Sequence, residues 1–322
     1  MNIIEQAARR LEELRRSGIE VPVGAQAVKG LAPARTEGVP ARVARMLEEK
    51  KLAAADSARG TNRTVLRDVT PTPPRTAPAR ESRHVDIDLA RLAAMGYLTP
   101  ETPRTRIADE FRVVKRQLLA NVHGKAAPLM ERANLIMITS ALPGEGKTFV
   151  AANLAISLAM ELDKTVLLVD ADVSRPSVLK RLGLPPSPGL LDILTDPSLQ
   201  VADVMMRTNI DKLTLLPSGK ANGRATELLA SDAMDRLLDE LATRYSDRIV
   251  VFDAPPLLPS TESRVLATYM GQVVIVVEAD RTPQKSLTQA LATIESCPIV
   301  LPLLNKISRS EVGSYYGYYG PV

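Results

Sequence analysis

A glycine-rich loop at residues 141–148, Ala-Leu-Pro-Gly-Glu-Gly-Lys-Thr, decides the fold. It follows an apolar run at residues 135–139 and precedes a helical pattern at residues 149–160. A strand, such a loop and a helix in this order favour a phosphate-binding loop, because successive backbone N–H groups and the helix N-terminus then face phosphate oxygens. Lys147 would reach the β- and γ-phosphates, and the Thr148 hydroxyl would bind Mg²⁺. The alternative is a glycine-rich turn without a ligand.

Two further predicted strands end in acids. Residues 166–169 lead into Asp170 and Asp172, and residues 249–252 lead into Asp253. Ligands of an open α/β sheet bind at the carboxyl ends of its strands, so the three carboxylates are expected near the metal and the γ-phosphate. An acid that closes a strand is often only a helix cap, but together with the loop these acids predict a Mg-nucleotide site. Its predicted nucleotide contacts are Pro143, Gly144, Glu145, Gly146, Lys147, Thr148 and Phe149.

Apolar runs of strand length alternate with helical stretches from about residue 105 onward. They cover residues 135–139, 165–169, 213–216, 248–252, 273–277 and 299–304. Such runs are apolar on both faces, as in parallel strands that helices cover on both sides. The pattern predicts an α/β fold with a doubly wound, mostly parallel sheet of the P-loop NTPase type.

Composition excludes several classes of protein. Aromatic residues make up 3% of the 322, with no Trp, so the core must be aliphatic. The single cysteine, Cys297, excludes a disulfide scaffold, a Cys-ligated zinc site or an iron–sulfur cluster within one chain, and it favours a reducing, cytoplasmic setting. No apolar run approaches the roughly 20 residues that cross a bilayer, so we expect no membrane span.

The N-terminal third carries the excess of positive charge. Residues 1–104 contain 18 basic and 13 acidic residues, against 23 and 24 in the remainder. No nucleic-acid-binding module is recognisable there, so a membrane surface or an acidic partner is favoured over nucleic acid.

The chain divides into a helical N-terminal appendage, a Pro- and Arg-rich flexible linker, a short helical connector, the P-loop domain and a flexible tyrosine-rich tail. The predicted bounds are residues 1–57, 58–84, 85–104, 105–306 and 307–322. The appendage begins with a basic amphipathic helix at residues 3–17, which either packs on the main domain or docks on a membrane or partner.

These motifs resemble those of the bacterial tyrosine kinases (BY-kinases). Their signature is a Walker A loop, an Asp-x-Asp motif after a strand (Walker A′), a Walker B Asp before Pro-Pro, and a C-terminal tyrosine cluster. All four occur here in that order, and the resemblance covers residues 105–322. The appendage and the Tyr-Tyr-Gly-Tyr-Tyr-Gly ending look most like the autokinase associated with exosortase (PEP-CTERM) exopolysaccharide systems, whose membrane-embedded chain-length determinant is a separate polypeptide.

The resemblance implies a protein-tyrosine autokinase that uses ATP and Mg²⁺. Lys147 and Thr148 would hold the phosphates and the metal, and Asp170 would be the base that faces the incoming tyrosine. Asp172 and Asp253 would organise Mg²⁺ directly or through water. A carboxylate of pKa about 4 does not deprotonate a free tyrosine, so Asp170 would mainly orient the hydroxyl and accept its proton as the new bond forms.

Three further predictions come from the family pattern. Asp109, Arg112 and Lys115 stand where the family carries the oligomerisation motif Glu-x-x-Arg-x-x-Arg, although a solvated helix face is the alternative. Ser174 stands where the family usually has Arg, and the sequence leaves open whether the next residue, Arg175, substitutes for it. Asn305, after the last strand, matches the place where related ATPases read the adenine edge, although turn chemistry is an equally ordinary role.

The tail contains four of the seven tyrosines, which we expect to be phosphoacceptors in trans: Tyr315, Tyr316, Tyr318 and Tyr319. The glycines between and after them keep the segment extended and mobile. The alternative is a sticky, disordered terminus.

The expected partners are a second copy of the chain, with a ring as one form of the oligomer, the membrane chain-length determinant and a phosphotyrosine phosphatase. The protein would lie in the cytoplasm, held at the inner membrane through its partner, and would regulate exopolysaccharide polymerisation or export. A different class of function is a nucleotide-dependent assembly switch, similar to the chromosome-partitioning and division-site ATPases. Leu142 counts against it, because those proteins carry a signature lysine at this place in the loop.

Overall fold

The computed structural model describes residues 83–101, 104–123, 131–244 and 247–307. The predicted helix at residues 3–17 and the tyrosine cluster lie outside these ranges. None of the described helices is both long and apolar enough to cross a membrane.

The strands of the described residues form one sheet. In chain order they are β1 Arg83–Val85, β2 Leu135–Ser140, β3 Thr165–Asp170, β4 Met206–Thr208, β5 Leu213–Leu216, β6 Arg248–Asp253, β7 Gln272–Glu278 and β8 Val300–Asn305. Their spatial order is β1-β4-β5-β3-β6-β2-β7-β8. Every neighbouring pair is parallel except β4 with β5, which are antiparallel. The mostly parallel sheet predicted from the apolar runs is therefore confirmed.

Helices connect the strands and cover both faces of the sheet. In chain order they are α1 Leu89–Ala94, α2 Arg106–His123, α3 Lys147–Ala159, α4 Val178–Leu182, α5 Leu190–Thr195, α6 Val201–Val204, α7 Ala225–Leu229, α8 Asp232–Thr243, α9 Thr261–Ala267 and α10 Gln284–Ala292. Alternate residues of β2 enter different cores: Ile136 and Ile138 pack with α2 and α3, whereas Leu135 and Met137 pack with α8 and α9. Two aliphatic cores, one on each face, are what a doubly wound sheet requires.

The sheet begins earlier than the sequence predicts. Arg83 and His84, assigned to the end of a flexible linker, belong to β1 and pair with β4. The backbone of Ile87 exchanges hydrogen bonds of 2.9 and 3.0 Å with the side chain of Asn209. Residues 83–98 are thus part of the sheet domain. Both β1, at the edge, and β4, beside it, escaped prediction because a three-residue strand is too short to show an apolar run.

A buried ion pair ties α2 to the end of α3. The Lys115 side chain is 8% exposed, lies 2.7 Å from Glu161 Oε1 and donates a 2.8 Å hydrogen bond to the Ser157 carbonyl. Its charge therefore lies near the carbonyl end of α3, where the helix dipole favours a cation. The hydrogen bond from Lys115 lowers the pKa of Glu161, and burial only partly opposes this shift.

We predict that Glu161→Gln lowers the free energy of unfolding by about 1–2 kcal/mol at pH 7, because the Lys115 ammonium then keeps only neutral partners. The folded-state pKa of Glu161 lies below its ordinary value of 4.5, so the pair stabilises the fold above that pH. The difference between the two proteins should shrink as the pH falls below that value. Urea unfolding at several pH values measures it, and the exposed Glu295→Gln is the control; a difference independent of pH would contradict the assignment.

Candidate nucleotide site

The loop between β2 and α3 has the backbone of a phosphate-binding loop. Gly144 and Gly146 have φ of +90° and +100°, in the left-handed region that favours glycine. A Cβ on Gly146 would stand 2.2 Å from the Asn305 amide nitrogen. Lys147 and Thr148 open α3 directly after the loop. The loop therefore has the left-handed glycines and the helix start of the predicted motif, and a side chain at Gly146 would displace the Asn305 amide from its hydrogen bond to the Glu145 carbonyl.

Buried Glu145 stabilises the inside of this loop. Its side chain accepts a 2.7 Å hydrogen bond from the Leu142 N–H and a second hydrogen bond from the Thr282 hydroxyl. Its carboxylate is therefore directed inward, and only its backbone remains for a phosphate. The sequence predicted nucleotide contact at Glu145, and it carried no signal for Thr282, which lies 137 positions away.

Asn305, the last residue of β8, and Lys306, the next residue, donate hydrogen bonds to carbonyl groups of the loop. Asn305 donates from its amide to the Glu145 carbonyl at 2.9 Å. Lys306 donates to the Gly144 carbonyl at 2.8 Å and to Glu278 Oε2 at 2.9 Å. The sequence predicted that Asn305 reads the adenine edge, whereas in the structure its amide nitrogen is committed to the phosphate loop.

Two of the predicted acids lie side by side at the ends of neighbouring strands. Asp170 at the end of β3 is in register with Asp253 at the end of β6. Asp170 Oδ2 accepts hydrogen bonds of 3.0 Å from the N–H groups of both Ser177 and Val178. Asp170 Oδ1 and both carboxyl oxygens of Asp253 are buried without a hydrogen-bond partner among the described residues.

Burial of these acids makes their charged forms costly. Burial first, and then the charge of Asp170, raise the pKa of Asp253 to about 8. Burial raises the pKa of Asp170 to about 6, against the opposing hydrogen bonds from the backbone. The pKa of Asp172 is also raised, chiefly by burial, and the charge of Lys147 opposes that shift. A cation beside these groups would remove the penalty, because an opposite charge favours the ionised carboxylate.

Thr148 and Lys147 lie at the same end of the sheet. The Thr148 hydroxyl is 2.8 Å from the hydroxyl of Ser177, the residue before α4. Lys147 is 9% exposed. The sequence analysis did not predict a role for Ser177. Its position seven residues after Asp170 was the available signal.

The donor set fits Mg²⁺ bound together with a nucleotide. Within the described ranges, no three His, Cys, Asp or Glu side chains form a ready metal-binding group. Mg²⁺ commonly takes only one or two protein ligands and completes its shell with phosphate oxygens and water. Thr148, Asp172 and Asp253 are the residues that would hold it here.

The predicted oligomerisation residues do not share one face of α2. Asp109 and Arg112 form an exposed ion pair with each other, whereas Lys115 is buried against Glu161. Steps of three residues drift by about 60° each around a helix, so the third member of the motif has turned into the core. The prediction that Lys115 presents its charge to a neighbouring subunit is wrong for this chain.

Tyr97 packs beside the nucleotide loop. Its ring centre is 4.9 Å from that of Phe149, the residue after Thr148. The next residue, Leu98, donates a 2.7 Å hydrogen bond to the Asn153 side chain, whose amide donates to the Phe149 carbonyl at 2.8 Å. The N-terminal edge of the domain therefore contacts the first turn of α3. The sequence signal that could have pointed to Tyr97 was the rarity of aromatic residues in this chain.

A doubly wound parallel sheet with this loop and these acids defines a P-loop nucleotide-binding protein. A family model described as an AAA domain matches residues 133–300, about half of the chain. The tyrosine-protein kinase YwqD of Bacillus subtilis (strain 168) is 31% identical over 222 residues, which cover 68% of this chain and 88% of YwqD.

Two other similarities point the same way. The succinoglycan biosynthesis transport protein ExoP of Rhizobium meliloti (strain 1021) is 30% identical over 249 residues, 75% of this chain but only 30% of ExoP. The kinase domain of the Escherichia coli tyrosine kinase ETK superposes with a TM-score of 0.55 at 26% identity, covering 65% of this chain and 80% of that domain. The chain belongs to the bacterial tyrosine-protein kinases and carries their P-loop domain.

We predict that Gly146→Ala weakens nucleotide binding at least tenfold, because the methyl group collides with Asn305 and the left-handed backbone disfavours alanine. Titration with a fluorescent ADP analogue measures the affinity. Gly223→Ala is the matched control, since a Cβ there meets nothing within 4 Å. Unchanged affinity in Gly146→Ala would contradict the described loop.

We further predict that Tyr97→Leu raises the KM for ATP several-fold, because the first turn of α3 loses its ring contact. Tyr97→Phe should keep the KM of the wild type, since the ring and its contact with Phe149 remain. Tyr269→Leu, whose ring lies under the Arg132 guanidinium instead, is the control. An equal change of KM in Tyr269→Leu would show a general loss of stability rather than an effect on the loop.

Proposed function

We propose that this kinase uses Mg-ATP to phosphorylate a tyrosine cluster on a second copy of the chain: Tyr315, Tyr316, Tyr318 and Tyr319. The observation that carries the proposal is the buried pair of Asp170 and Asp253 behind the loop. Three of their four carboxyl oxygens have no hydrogen-bond partner among the described residues. Asp253 can then bind the metal, while Asp170 accepts a hydrogen bond from the tyrosine hydroxyl. Contact between copies is part of the proposal, and Asp109 and Arg112 remain exposed on α2.

The residues of the chain divide the chemistry among them. Mg-ATP supplies the phosphoryl group and neutralises part of its charge. The loop N–H groups and Lys147 hold the phosphates and stabilise the charge that develops during transfer. Asp170 orients the tyrosine hydroxyl and accepts its proton as the bond to phosphorus forms. Burial raises the pKa of Asp170 above that of an ordinary carboxylate, and a Mg²⁺ ion bound nearby would lower it again and keep the group ionised.

The biological setting that we propose is exopolysaccharide polymerisation or export. The name of ExoP, a succinoglycan biosynthesis transport protein, supports this setting. The kinase would act with a separate membrane chain-length determinant, lie at the inner face of the membrane through that partner, and be reset by a phosphotyrosine phosphatase. The basic amphipathic helix predicted at residues 3–17 is one candidate contact with the partner.

We expect phosphate on the peptide that contains residues 315–319 after incubation of the purified chain with Mg-ATP, and none in Lys147→Ala. Mass spectrometry of the digested protein measures it. Nucleotide binding or hydrolysis without phosphate on tyrosine would favour the assembly switch over the autokinase. Adding the cytoplasmic tail of the membrane partner then separates a missing activator from a true switch.

Transfer between copies has its own test. A chain with all four tail tyrosines changed to Phe serves as the kinase, and Lys147→Ala with an intact tail serves as the acceptor. Phosphate on the acceptor tail is the expected result. A tail that is modified only when it is on the active chain would overturn transfer in trans.

A further inference from the structure

A cavity of about 480 Å³ opens beside Asp170. It lies between α4, the loop that follows α4 and the end of β5. Its walls are mostly apolar and include Leu179, Leu184 and Pro186, while Asp170 and Lys180 are its charged lining residues. This volume exceeds that of one tyrosine side chain, so the cavity has room for an aromatic ring and part of the adjoining peptide.

Asp170 contributes a hydrogen-bond acceptor to the wall of the cavity. Asp170 is 1% exposed, and its Oδ2 is already occupied by the N–H groups of Ser177 and Val178. Its Oδ1 has no partner among the described residues. A buried acceptor without a donor is costly, and a phenol hydroxyl between apolar walls would satisfy it.

The cavity also carries a cation that the chemistry of transfer does not use. Lys180 lies on α4, is exposed, and makes no hydrogen bond or ion pair within the part of the chain that the structure describes. It is the only basic residue among those that line the cavity. Its charge is therefore available to an anionic group on whatever occupies the cavity.

The acceptor segment acquires such a group during the reaction. Tyr316 and Tyr318 are separated by one glycine. In an extended peptide, residues two apart lie on the same side at a distance of about 7 Å. When the ring of one of these tyrosines enters the cavity, a phosphate on the other therefore lies on the side of the peptide that faces the cavity mouth.

We propose that Lys180 is a specificity-determining residue that binds a phosphate already present on the acceptor segment, so that phosphorylation of Tyr316 accelerates phosphorylation of Tyr318. The inference rests on the proposed autokinase function. Each transfer breaks the bond between the γ-phosphorus and the bridging oxygen of ATP, which leaves with ADP, and forms a bond from phosphorus to the phenol oxygen. The phenol proton passes to Asp170 and then to solvent. Lys180 takes no part in these steps and acts only on the binding of the substrate.

Two synthetic peptides that span residues 310–322 test the proposal. Both carry Tyr315→Phe and Tyr319→Phe, so that Tyr318 is the acceptor; position 316 is phosphotyrosine in the primed peptide and Phe in the unprimed one. The enzyme is the full chain with its own four tail tyrosines changed to Phe. We expect kcat/KM to be about tenfold higher for the primed peptide at low salt, and this ratio should fall as salt screens the pair.

Lys180→Met keeps the aliphatic stem and removes the charge, and the ratio should then fall to about one. Lys285→Met, an exposed lysine on α10, is the matched control and should keep the full ratio. The ratio compares two substrates of one enzyme, so a change in the amount of folded protein does not alter it. A wild-type ratio of one, or a full ratio in Lys180→Met, overturns the role of Lys180. If neither peptide is phosphorylated even after the cytoplasmic tail of the membrane partner is added, although the fluorescent ADP analogue binds, the proposed function itself fails, and the inference fails with it.

Discussion

The burial of two facing carboxylates is the constraint on which the rest of the site depends. Asp170 and Asp253 are in register on neighbouring parallel strands, and burial raises the pKa of both. A protein interior tolerates such a pair only where a cation or a donor is supplied, because an isolated buried charge is costly. The loop after β2 ends at the same edge of the sheet, with Lys147 at its end. The strand register thus determines where a metal and phosphates can bind.

The loop itself keeps its shape through contacts that are distant in sequence. Glu145 is held from inside by Leu142 and Thr282, while Asn305 and Lys306 hold the loop carbonyls from the end of β8. A loop with several N–H groups pointing outward needs its carbonyls and its one acid satisfied elsewhere. Preorganisation of this kind is what phosphoryl transfer requires, since catalysis depends mainly on position and charge.

The sequence predicted the central strands well and the edges poorly. The apolar runs at residues 213–216 and 248–252 correspond to β5 and β6 to within one residue, because strands covered on both faces must be apolar throughout. Strand β1 carries Arg and His at two of its three positions and resembled a linker. Lys115 was also predicted incorrectly. Its charge favoured a position on the protein surface, but the ion pair with Glu161, 46 positions later, allows it to be buried. Such pairings depend on tertiary contacts that no local pattern records.

The position of β1 determines how the domain opens. It is a three-residue edge strand, and it pairs with residues more than 100 positions away. So short an edge strand has few backbone pairings, and we expect it to detach before the central strands in local unfolding. Tyr97 follows β1 by twelve positions and packs on Phe149 at the start of α3. Opening of the edge as far as Tyr97 would remove the packing partner of the Phe149 ring while the central strands stay folded. Amide hydrogen exchange in β1 would measure how often the edge itself opens.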